Sequence, residues 1–514
     1  MRRVALMAAV LATCCACGAG PSLRPAVAVQ GHTDGVPGRV QSSPTGDAPV
    51  APGVPGNELG WRDCSGTSLA DRATAAAANG VVVECAEFTA PVDTSGAVDG
   101  TFTVGATRAR LASTPANAYP VVFTSGTDRS SGNALTMLAA SGLSTMLAAH
   151  PVVALDRRGV DRSTAIDCIP ADVRRGIDDA GQFAAGSEAE AVSAFGLQAT
   201  IACTDYLDPQ QLQFGADSAA QDVDALRTRW GVDTIALWSS GSGSDIALSY
   251  AAVRPEAVAR LILDSPAPIA TDAATEAESR VQGEEAAVKA FTQRCAALAC
   301  SLGPDPDTAV AALVTRARNG EFRPFSAAAL TTAISASLWA PTGNREQDTR
   351  SLADDLAALQ SGNIGPMRAR ADLAEQDVDG DGQFIGRCTD GTQWPGLGRI
   401  GELVDTWSST YPIFGREAAL GLSACAGWPS TVTASLPSSL RSAVLVLSGQ
   451  GDPAVGMSGL PTVTGVVANS GVSVATVGWQ GAGHPAMQSN CAQSVAVKYL
   501  EDLTLPSDGT VCPA

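Results

Sequence analysis

The sequence predicts an α/β protein: a doubly wound, mostly parallel sheet with a helical region inserted into it. Five short apolar runs are too continuous for half-exposed strands and are typical of parallel strands buried on both faces. These runs are residues 121–123, 152–155, 235–238, 261–263 and 444–447. Segments with helical spacing, such as 217–230 and 245–253, lie between the runs, and this alternation favours a doubly wound sheet. Between residues 271 and 381 the alternation gives way to Ala-rich helical segments, which predict the inserted region.

Composition limits the classes of protein to which the chain can belong. It has 514 residues, 45% of them hydrophobic, which is too apolar for a disordered chain. The formal net charge of -19 argues against binding to nucleic acid or to an anionic membrane surface, because like charges repel. The length suits one large α/β core with an insertion, or two or three smaller domains.

The N-terminal residues predict export. Two arginines precede a short apolar run at 4–12, so residues 1–17 resemble a secretory signal. Cys17 follows the small residue Ala16 and resembles the acylated cysteine of a bacterial lipoprotein, the alternative being a plain signal peptide cleaved nearby. Residues 18–58 are rich in Pro, Gly, Ser, Thr and Val, and we interpret them as a tether. We therefore expect an exported cell-envelope protein whose only membrane contact is an N-terminal lipid.

Ten cysteines follow the tether. An even number in an exported chain favours disulfides over free thiols or a metal site. The sequence does not fix their connectivity, but pairing neighbours along the chain gives five modest loops. The expected pairs are Cys64–Cys85, Cys168–Cys203, Cys295–Cys300, Cys388–Cys425 and Cys491–Cys512.

The predicted folded region has three parts. Residues 59–270 form the first part of the sheet core, 271–381 form a helical cap, and 382–514 return to the core. We expect the third part to begin with a strand at 384–387.

Three motifs follow predicted strands in a fixed order along the chain. The first is Asp-Arg-Arg-Gly-Val-Asp-Arg-Ser at 156–163, and the second is Trp-Ser-Ser-Gly-Ser-Gly-Ser at 238–244, between a strand and a helix. The third places Asp452 after a late strand, with His484 further on. A strand–turn–helix followed by a late Asp and a late His is the chain order of α/β-hydrolases. That chemistry needs a nucleophile on a sharp turn, a base, and a carboxylate that orients the base.

With these motifs, the chain resembles the exported tripeptidyl aminopeptidase-like hydrolases of actinobacteria, which are related to proline iminopeptidases. The similarity runs from about Trp61 to Cys512. It includes the stretches 163–168, 248–255, 263–264 and 499–512. The resemblance implies an α/β-hydrolase fold with a helical cap, a peptide or small acyl substrate, and no cofactor.

The resemblance also implies roles for individual residues. His484 matches the family's base, whereas His32 lies in the tether and His150 precedes a buried strand, where a structural or surface role is expected. Asp452 matches the acid of the triad, the alternative being a turn Asp before Pro453.

The residue at the nucleophile position departs from the family. The family reads Gly-x-Ser-x-Gly, and aligning Tyr250 and Pro255 places Gly241 where the attacking serine belongs. Glycine adopts the positive φ of such a turn without strain. Ser240 or Ser242 could replace the lost nucleophile, or they could simply cap the following helix.

The oxyanion-hole region departs from the family as well. We expect it to comprise Gly126, Thr127 and the amide of Ser242. Within the glycine-rich loop at 125–132, Asp128 and Arg129 replace small residues that let the backbone approach a substrate. In the 156–163 turn, Asp161 replaces a glycine.

Asp377, Asp379 and Asp381 resemble the first half of an EF-hand calcium loop. Position twelve of that loop would be Cys388, which we assign to a disulfide. An Asp/Gly-rich turn is the alternative, and we expect no metal.

Three functions remain open from the sequence. The chain could be a secreted serine peptidase, a non-catalytic descendant that binds a peptide or partner in the old cleft, or an esterase-type enzyme that uses Ser240 or Ser242. Gly241 argues against the first.

Overall fold

A computed structural model describes residues 50–67, 69–339, 344–377, 380–429 and 433–514. The signal sequence, Cys17, His32 and most of the tether therefore lie outside the described residues, as does Asp379.

Ten strands in the described part of the chain form a single sheet. They are β1 (Arg62–Asp63), β2 (Val81–Pro91), β3 (Thr101–Leu111), β4 (Val121–Thr124), β5 (Val152–Leu155), β6 (Ile235–Gly241), β7 (Val258–Pro266), β8 (Val444–Gly451), β9 (Val474–Ala482) and β10 (Thr510–Cys512). Their order in the sheet is β1-β2-β3-β5-β4-β6-β7-β8-β9-β10. The pairs from β1 to β5 are antiparallel, and the pairs from β5 through β4 to β10 are parallel. All five predicted apolar runs lie in these parallel strands, so the doubly wound sheet is confirmed.

Helices pack on both faces of the sheet. Those of the core are α1 (Ala70–Ala78), α2 (Ser131–Ser141), α3 (Ser144–Ala149), α4 (Ala171–Asp178), α5 (Glu188–Leu207), α6 (Ala216–Trp230), α7 (Gly243–Val253), α16 (Leu460–Asn469) and α17 (Asn490–Asp502). Neighbouring residues of one strand serve opposite faces: Leu237 packs into one apolar cluster and Trp238 into the other. This double burial explains why the strands read as continuous apolar runs.

The inserted helical region lies between β7 and β8. Its helices are α8 (Ala273–Ala297), α9 (Pro306–Arg318), α10 (Ala327–Trp339), α11 (Arg345–Gln360), α12 (Gly365–Asp377), α13 (Asp381–Asp390), α14 (Leu397–Thr410) and α15 (Gly415–Gly421). The insertion has its own apolar core, which includes Val281, Leu330 and Trp407. Helices thus continue well beyond the expected limit at 381, and the sheet resumes only at Val444.

The strand expected at 384–387 is wrong, because these residues belong to α13. Ile385 and Cys388 are three residues apart and both fully buried, a helical spacing that serves one face of α13. Cys388 is bonded to Cys425, which lies at the end of the insertion. Burial of Ile385 and Cys388 on one face, together with the disulfide to Cys425, therefore explains why residues 384–387 form part of a helix of the insertion.

The end of the expected tether is attached to the core. The Gly53 amide donates a hydrogen bond to the Thr234 carbonyl, and the Gly56 amide donates to the Trp230 carbonyl, both at 2.9 Å. The Arg260 guanidinium donates to the Val50 carbonyl, also at 2.9 Å. Residues 50–57 therefore belong to the folded region, because their backbone groups have fixed partners there.

The ten described cysteines form five disulfides, and the pairs are the neighbours expected from the sequence: Cys64–Cys85, Cys168–Cys203, Cys295–Cys300, Cys388–Cys425 and Cys491–Cys512. Disulfides at this density are compatible with an extracellular protein. In the described ranges, no helix is both long enough and apolar enough to cross a membrane.

Candidate functional site

His484 and Asp452 meet at the carboxyl edge of the sheet. Asp452 directly follows β8, and His484 follows β9. The His484 ring nitrogen Nδ1 lies 2.9 Å from Asp452 Oδ2, while the amides of Ala454 and Val455 donate to Asp452 Oδ1. Both side chains are buried. Parallel strands β8 and β9 are neighbours, so their loops place the carboxylate and the imidazole together.

A second buried carboxylate holds the backbone after His484. The amides of Ala486 and Met487 donate to Asp264, at 2.9 and 3.0 Å. Burial raises the pKa of Asp264 to about 7, against the lowering effects of His484 and the two amides. Asp264 is buried, and its two hydrogen bonds hold the backbone of the loop that follows His484.

Gly241 occupies the apex of the turn between β6 and α7. Its φ is +55°, in the left-handed region where glycine is unstrained. A Cβ built on Gly241 would lie 3.5 Å from His484 Cε1, so the turn faces the imidazole as a nucleophile turn should. The same Cβ would overlap Asp128 Oδ2 and lie 3.1 Å from Asp128 Cγ. The space of the missing serine side chain is therefore taken by the Asp128 carboxylate.

Asp128 also occupies the hydrogen-bonding position of an oxyanion. The Ser242 amide, which follows the nucleophile position, donates to Asp128 Oδ2 at 2.7 Å. On its other side, Asp128 Oδ1 forms an ion pair with the Arg280 guanidinium at 3.1 Å. The Asp128 side chain is only 2% exposed. The Asp128 carboxylate thus accepts a hydrogen bond from the Ser242 amide of the core and pairs with the Arg280 guanidinium of the cap.

The rest of the expected oxyanion region is closed as well. Gly126 has a φ of +65°, and a Cβ on it would collide with the backbone of Ser242 and Gly243. The Thr127 amide donates to Ser242 Oγ at 2.9 Å, and the Gly126 amide donates to Thr124 Oγ1 at 3.3 Å. Each amide that could bind an oxyanion already has an acceptor from the protein itself.

The two serines beside Gly241 differ in their surroundings. The Ser242 hydroxyl contacts the Thr127 amide and hydroxyl. Ser240 lines a cavity of about 20 Å³ together with His484 and Asp128. Across the described residues, neither hydroxyl forms a hydrogen bond with the His484 ring.

Arg129 and Trp339 cover the histidine. The Arg129 guanidinium carbon lies 4.7 Å above the Trp339 ring, and that ring lies 5.2 Å from the His484 ring. Burial, together with the charge of Arg72, lowers the pKa of Arg129 to about 9, although Asp128 raises it. The His484 amide donates to the Trp339 carbonyl at 2.9 Å. The described residues leave a cavity of about 20 Å³ beside His484.

Asp161, which stands where the family has a glycine, has a left-handed backbone conformation. Its φ is +45°, which strains a residue with a side chain. Its carboxylate shares the Ser130 hydroxyl with Asp156, at 2.9 and 3.0 Å. Burial, helped by the charge of Asp161, raises the pKa of Asp156 to about 7.

A cavity of about 340 Å³ lies between the Asp128 loop and the cap, and six carboxyl groups line it. They are Asp178, Asp245, Glu276, Glu284, Asp390 and Glu417. Two arginines, Arg280 and Arg387, line the same cavity, and Trp394 and Phe414 contribute apolar walls. The cavity is therefore strongly acidic.

Half of these carboxyl groups have no hydrogen-bond or ion-pair partner among the described residues. Asp390 pairs with Arg157 and Glu417 pairs with Arg318, both at 2.6 Å, while Ser335 donates to Glu284. Over the residues that the structure describes, Asp178, Asp245 and Glu276 accept no hydrogen bond and form no ion pair.

Burial raises the pKa of each unpaired group. It raises the pKa of Asp178 and of Glu276 to about 7, and that of Asp245 well above the usual range. Neighbouring carboxylates raise all three pKa values further, chiefly Glu375 for Asp178, Asp390 for Asp245 and Asp128 for Glu276, although the charge of Arg280 lowers the pKa of Glu276. Glu284 likewise has a pKa of about 7, chiefly because of burial. A bound cation would relieve this repulsion.

The calcium candidates have other partners. Asp377 forms ion pairs with Arg72 and Arg129. Asp381 accepts the amides of Cys168 and Ile169, and its other oxygen pairs with Arg174 at 2.8 Å. These contacts favour an Asp/Gly-rich turn over a calcium loop, because the carboxylates of Asp377 and Asp381 are each neutralised by arginine.

Comparisons with known proteins identify the family. The family model described as alpha/beta hydrolase fold matches residues 139–336, and the model described as TAP-like protein matches residues 411–512. Together these matches cover more than half of the chain. The chain belongs to the TAP-like α/β-hydrolases. Among proteins of curated function, none matches its sequence significantly.

Solved structures with a similar fold include several hydrolases. An esterase from Thermogutta terrifontis is 12% identical, over 80% of this chain and 97% of its own, with a TM-score of 0.33. Esterase E22 is 12% identical over 82% and 100%, with a TM-score of 0.40. The 2-hydroxy-6-oxo-6-phenylhexa-2,4-dienoate hydrolase from Rhodococcus sp. strain RHA1 is 13% identical over 81% and 98%, with a TM-score of 0.35. Similarity at this level carries no argument about the activity of this TAP-like α/β-hydrolase.

The roles of several residues in the site of this TAP-like α/β-hydrolase were not predicted from the sequence. Asp128 is evident in the sequence only as a bulky replacement, not as an occupant of the nucleophile position. Glu276, Arg280 and Glu284 follow one another at intervals of four, which places them on one face of α8. That spacing is a signal from which the charged face toward the cavity could have been predicted.

We expect the Asp128→Asn substitution to lower the pKa of His484. Burial lowers this pKa, but Asp452, Asp128 and Asp264 outweigh the effect and raise it above the usual value. A raised histidine pKa stabilises the fold below the unfolded-state pKa, and this stabilisation is lost as pH rises through the folded-state pKa. Removing the Asp128 charge should therefore reduce both the pKa and the low-pH stabilisation.

NMR titration of the imidazole nitrogens measures this effect, because the chain has only three histidines. His150 serves as an internal control: burial lowers its pKa, and it interacts with the Tyr119 carbonyl instead. An unchanged His484 titration in the variant would show that Asp128 is protonated or too far away to act.

Proposed function

We propose that this TAP-like α/β-hydrolase is an exported binding protein that does not use the serine mechanism of its family. Its ligand is a compound with a positively charged amino group, best represented by a short peptide with a free amino terminus. The ligand occupies the acidic cavity between the Asp128 loop and the cap.

One observation carries the proposal: the Asp128 carboxylate fills the place of the nucleophile. Its Oδ2 overlaps the position of a Cβ on Gly241 and accepts the Ser242 amide. An acyl substrate would need that amide for its oxyanion and that space for the attacking oxygen. Asp128 excludes both, while His484 and Asp452 keep their hydrogen bond.

The acidic cavity supports the class of ligand. Asp178, Asp245 and Glu276 face a volume of about 340 Å³ and have no partner among the described residues. An ammonium group offers three hydrogen-bond donors and a positive charge. The apolar walls at Trp394 and Phe414 suit side chains of a peptide.

Export and lipid attachment at Cys17 belong to the same proposal. The signal-like N-terminus and the five disulfides support export. Mass spectrometry of the membrane fraction tests acylation, with Cys17→Ser as the variant that should lose the lipid.

We expect Ala-Ala-Ala to bind the purified protein in isothermal titration calorimetry, and acetylation of its amino terminus to abolish binding. Glu276→Gln should weaken binding about tenfold or more, because a charged hydrogen-bond acceptor is lost. Binding should also strengthen as pH rises from about 6 to 7.5, since carboxyl groups with a pKa of about 7 then become charged.

Glu278→Gln is the matched control. Glu278 lies on the same helix but accepts a hydrogen bond from the Tyr411 hydroxyl and does not line the cavity. Equal binding of free and acetylated peptides, or equal losses in the two variants, would refute the proposed recognition. Turnover of the free peptide by unmodified protein would refute its non-catalytic character.

Hydrolysis through Ser240 is a second candidate, favoured by the small cavity that Ser240 shares with His484. Labelling of Ser240 by a fluorophosphonate in the unmodified protein would support it, provided that His484→Ala abolishes the label.

A further inference from the structure

Arg387 lines the acidic cavity and makes no ion pair with a described residue. It lies on α13, where its chain neighbours Gly386 and Cys388 are buried but Arg387 itself is exposed. Its side chain therefore extends from the wall into the cavity of about 340 Å³. Arg280, which lines the same cavity, is by contrast held by Asp128 at 3.1 Å. Arg387 is thus a cation whose donors are available inside the cavity.

The acidic residue nearest to Arg387 on α13 is already occupied. Asp390 lies three residues further along the helix, a spacing that places the two side chains on one face. Its carboxylate instead pairs with Arg157 at 2.6 Å and accepts the Ala216 amide at 2.7 Å. Two strong partners on Asp390 leave the Arg387 guanidinium without a contact to it.

Asp178 and Glu276 act on Arg387 electrostatically, without touching it. Burial and the charge of Arg280 lower the pKa of Arg387, whereas Glu276 and Asp178 raise it. All of these groups line the same cavity, yet no hydrogen bond or ion pair joins Arg387 to either carboxyl group. The cavity therefore presents a positive group and negative groups that face one space and do not neutralise each other by contact.

The helix that carries Arg387 is fixed on both sides of this residue. A Cβ on Gly386 would lie 2.9 Å from Thr127 Cγ2, so α13 packs closely against the loop that contains Thr127. Cys388 is bonded to Cys425 at the end of the insertion. The backbone of Arg387 is thus held in place before a ligand arrives, which reduces the ordering cost of binding.

We propose that Arg387 binds the carboxylate of the ligand whose amino group is held by the acidic side chains of the cavity. The inference rests on the proposed function, because it concerns the other end of the same ligand. The ligand is then a zwitterion, a short peptide with both termini free. A guanidinium donates two parallel hydrogen bonds to a carboxylate, and the cavity volume is near the lower end for ligand pockets, which suits a ligand with both ends inside.

Ala-Ala-Ala and its C-terminal amide test this proposal on the unmodified protein. The two peptides share the amino terminus and the side chains and differ in the charge of the carboxyl end. We expect isothermal titration calorimetry at pH 7.5 to show that the free acid binds about tenfold or more tightly than the amide, which loses a charge-assisted pair. Acetylated Ala-Ala-Ala reports on the amino end separately.

Arg387→Gln should affect the two peptides differently. The free acid should bind about tenfold or more weakly than to the parent, for the same reason. The amide, which is only a cation, should bind as well as before or better, because the repulsion by Arg387 is removed. Arg399→Gln is the matched control: Arg399 lies on α14, pairs with Glu402 at 2.8 Å on the surface and does not line the cavity.

Thermal unfolding checks that Arg387→Gln keeps the fold, and we expect an unchanged melting temperature, because no described ion pair or hydrogen bond of Arg387 is lost. If the variant does not fold, the comparison of the two peptides on the unmodified protein still decides.

The inference is overturned if the amide binds the unmodified protein as tightly as the free acid does, or if Arg387→Gln weakens both peptides equally. In either case, a preference for Ala-Ala-Ala over its acetylated form would still support recognition of the amino group. If none of the tripeptides binds, the proposed function fails and this inference fails with it.

Discussion

A Gly241→Ser protein is expected to stay unlabelled by a fluorophosphonate, whereas Gly241→Ser combined with Asp128→Ala is expected to gain labelling at position 241. The single change adds an oxygen where Asp128 already lies, and it forces a side chain into a φ of +55°. The double change frees both the space and the Ser242 amide. Because one oxyanion donor is worth a factor of about 100 or more, we expect at least that difference in labelling rate.

His484→Ala in the doubly substituted protein is the control, since labelling should then disappear. Peptide mapping by mass spectrometry locates the adduct. Equal labelling of the single and double variants would mean that Asp128 moves aside freely and does not block the site.

The Asp222→Ala substitution is expected to lower the free energy of unfolding by about 3–5 kcal/mol. Asp222 pairs with Arg158 through two hydrogen bonds, at 2.7 and 2.9 Å, and both side chains are almost completely buried. Without the carboxylate, the Arg158 charge stays in the interior with only carbonyl partners, among them Val92. An uncompensated buried charge is costly, so the loss should far exceed that of a surface pair.

Urea denaturation monitored by circular dichroism measures this loss. Glu402→Ala removes the partner of Arg399 in an exposed pair and should cost less than about 1 kcal/mol. Similar losses in the two variants would show that the interior tolerates the isolated Arg158 charge.

The parallel strands could be predicted because both of their faces are buried, which leaves one continuous apolar run for each strand. In the antiparallel strands β2 and β3, exposed residues such as Glu87 and Thr101 alternate with buried ones, so these strands lack the continuous apolar runs by which the parallel strands were predicted. Residues 384–387 could not be placed from local composition. Phe384 and Ile385 suit either a strand or a helix, and burial against neighbouring helices decides between them.

At the site, His484, Asp452 and Gly241 could be recognised because chain order and turn motifs are local signals. The location of the Asp128 carboxylate could not be, since Asp128 and the Ser242 amide are 114 positions apart in the sequence. Which way a loop side chain points depends on packing that no local pattern encodes. The unpaired carboxyl groups of the cavity come from separate helices, and no sequence pattern shows that these helices meet. Only the charged face of α8 could have been predicted from the sequence.

The fit between Gly241 and Asp128 also limits the routes by which the chain could regain a nucleophile. Adding a hydroxyl first produces a crowded turn without reactivity. Removing the carboxylate first leaves Arg280 and the Ser242 amide without their acceptor and still supplies no attacking atom. Neither single change restores the family's chemistry, so a return to it requires both the hydroxyl at position 241 and the loss of the Asp128 carboxylate.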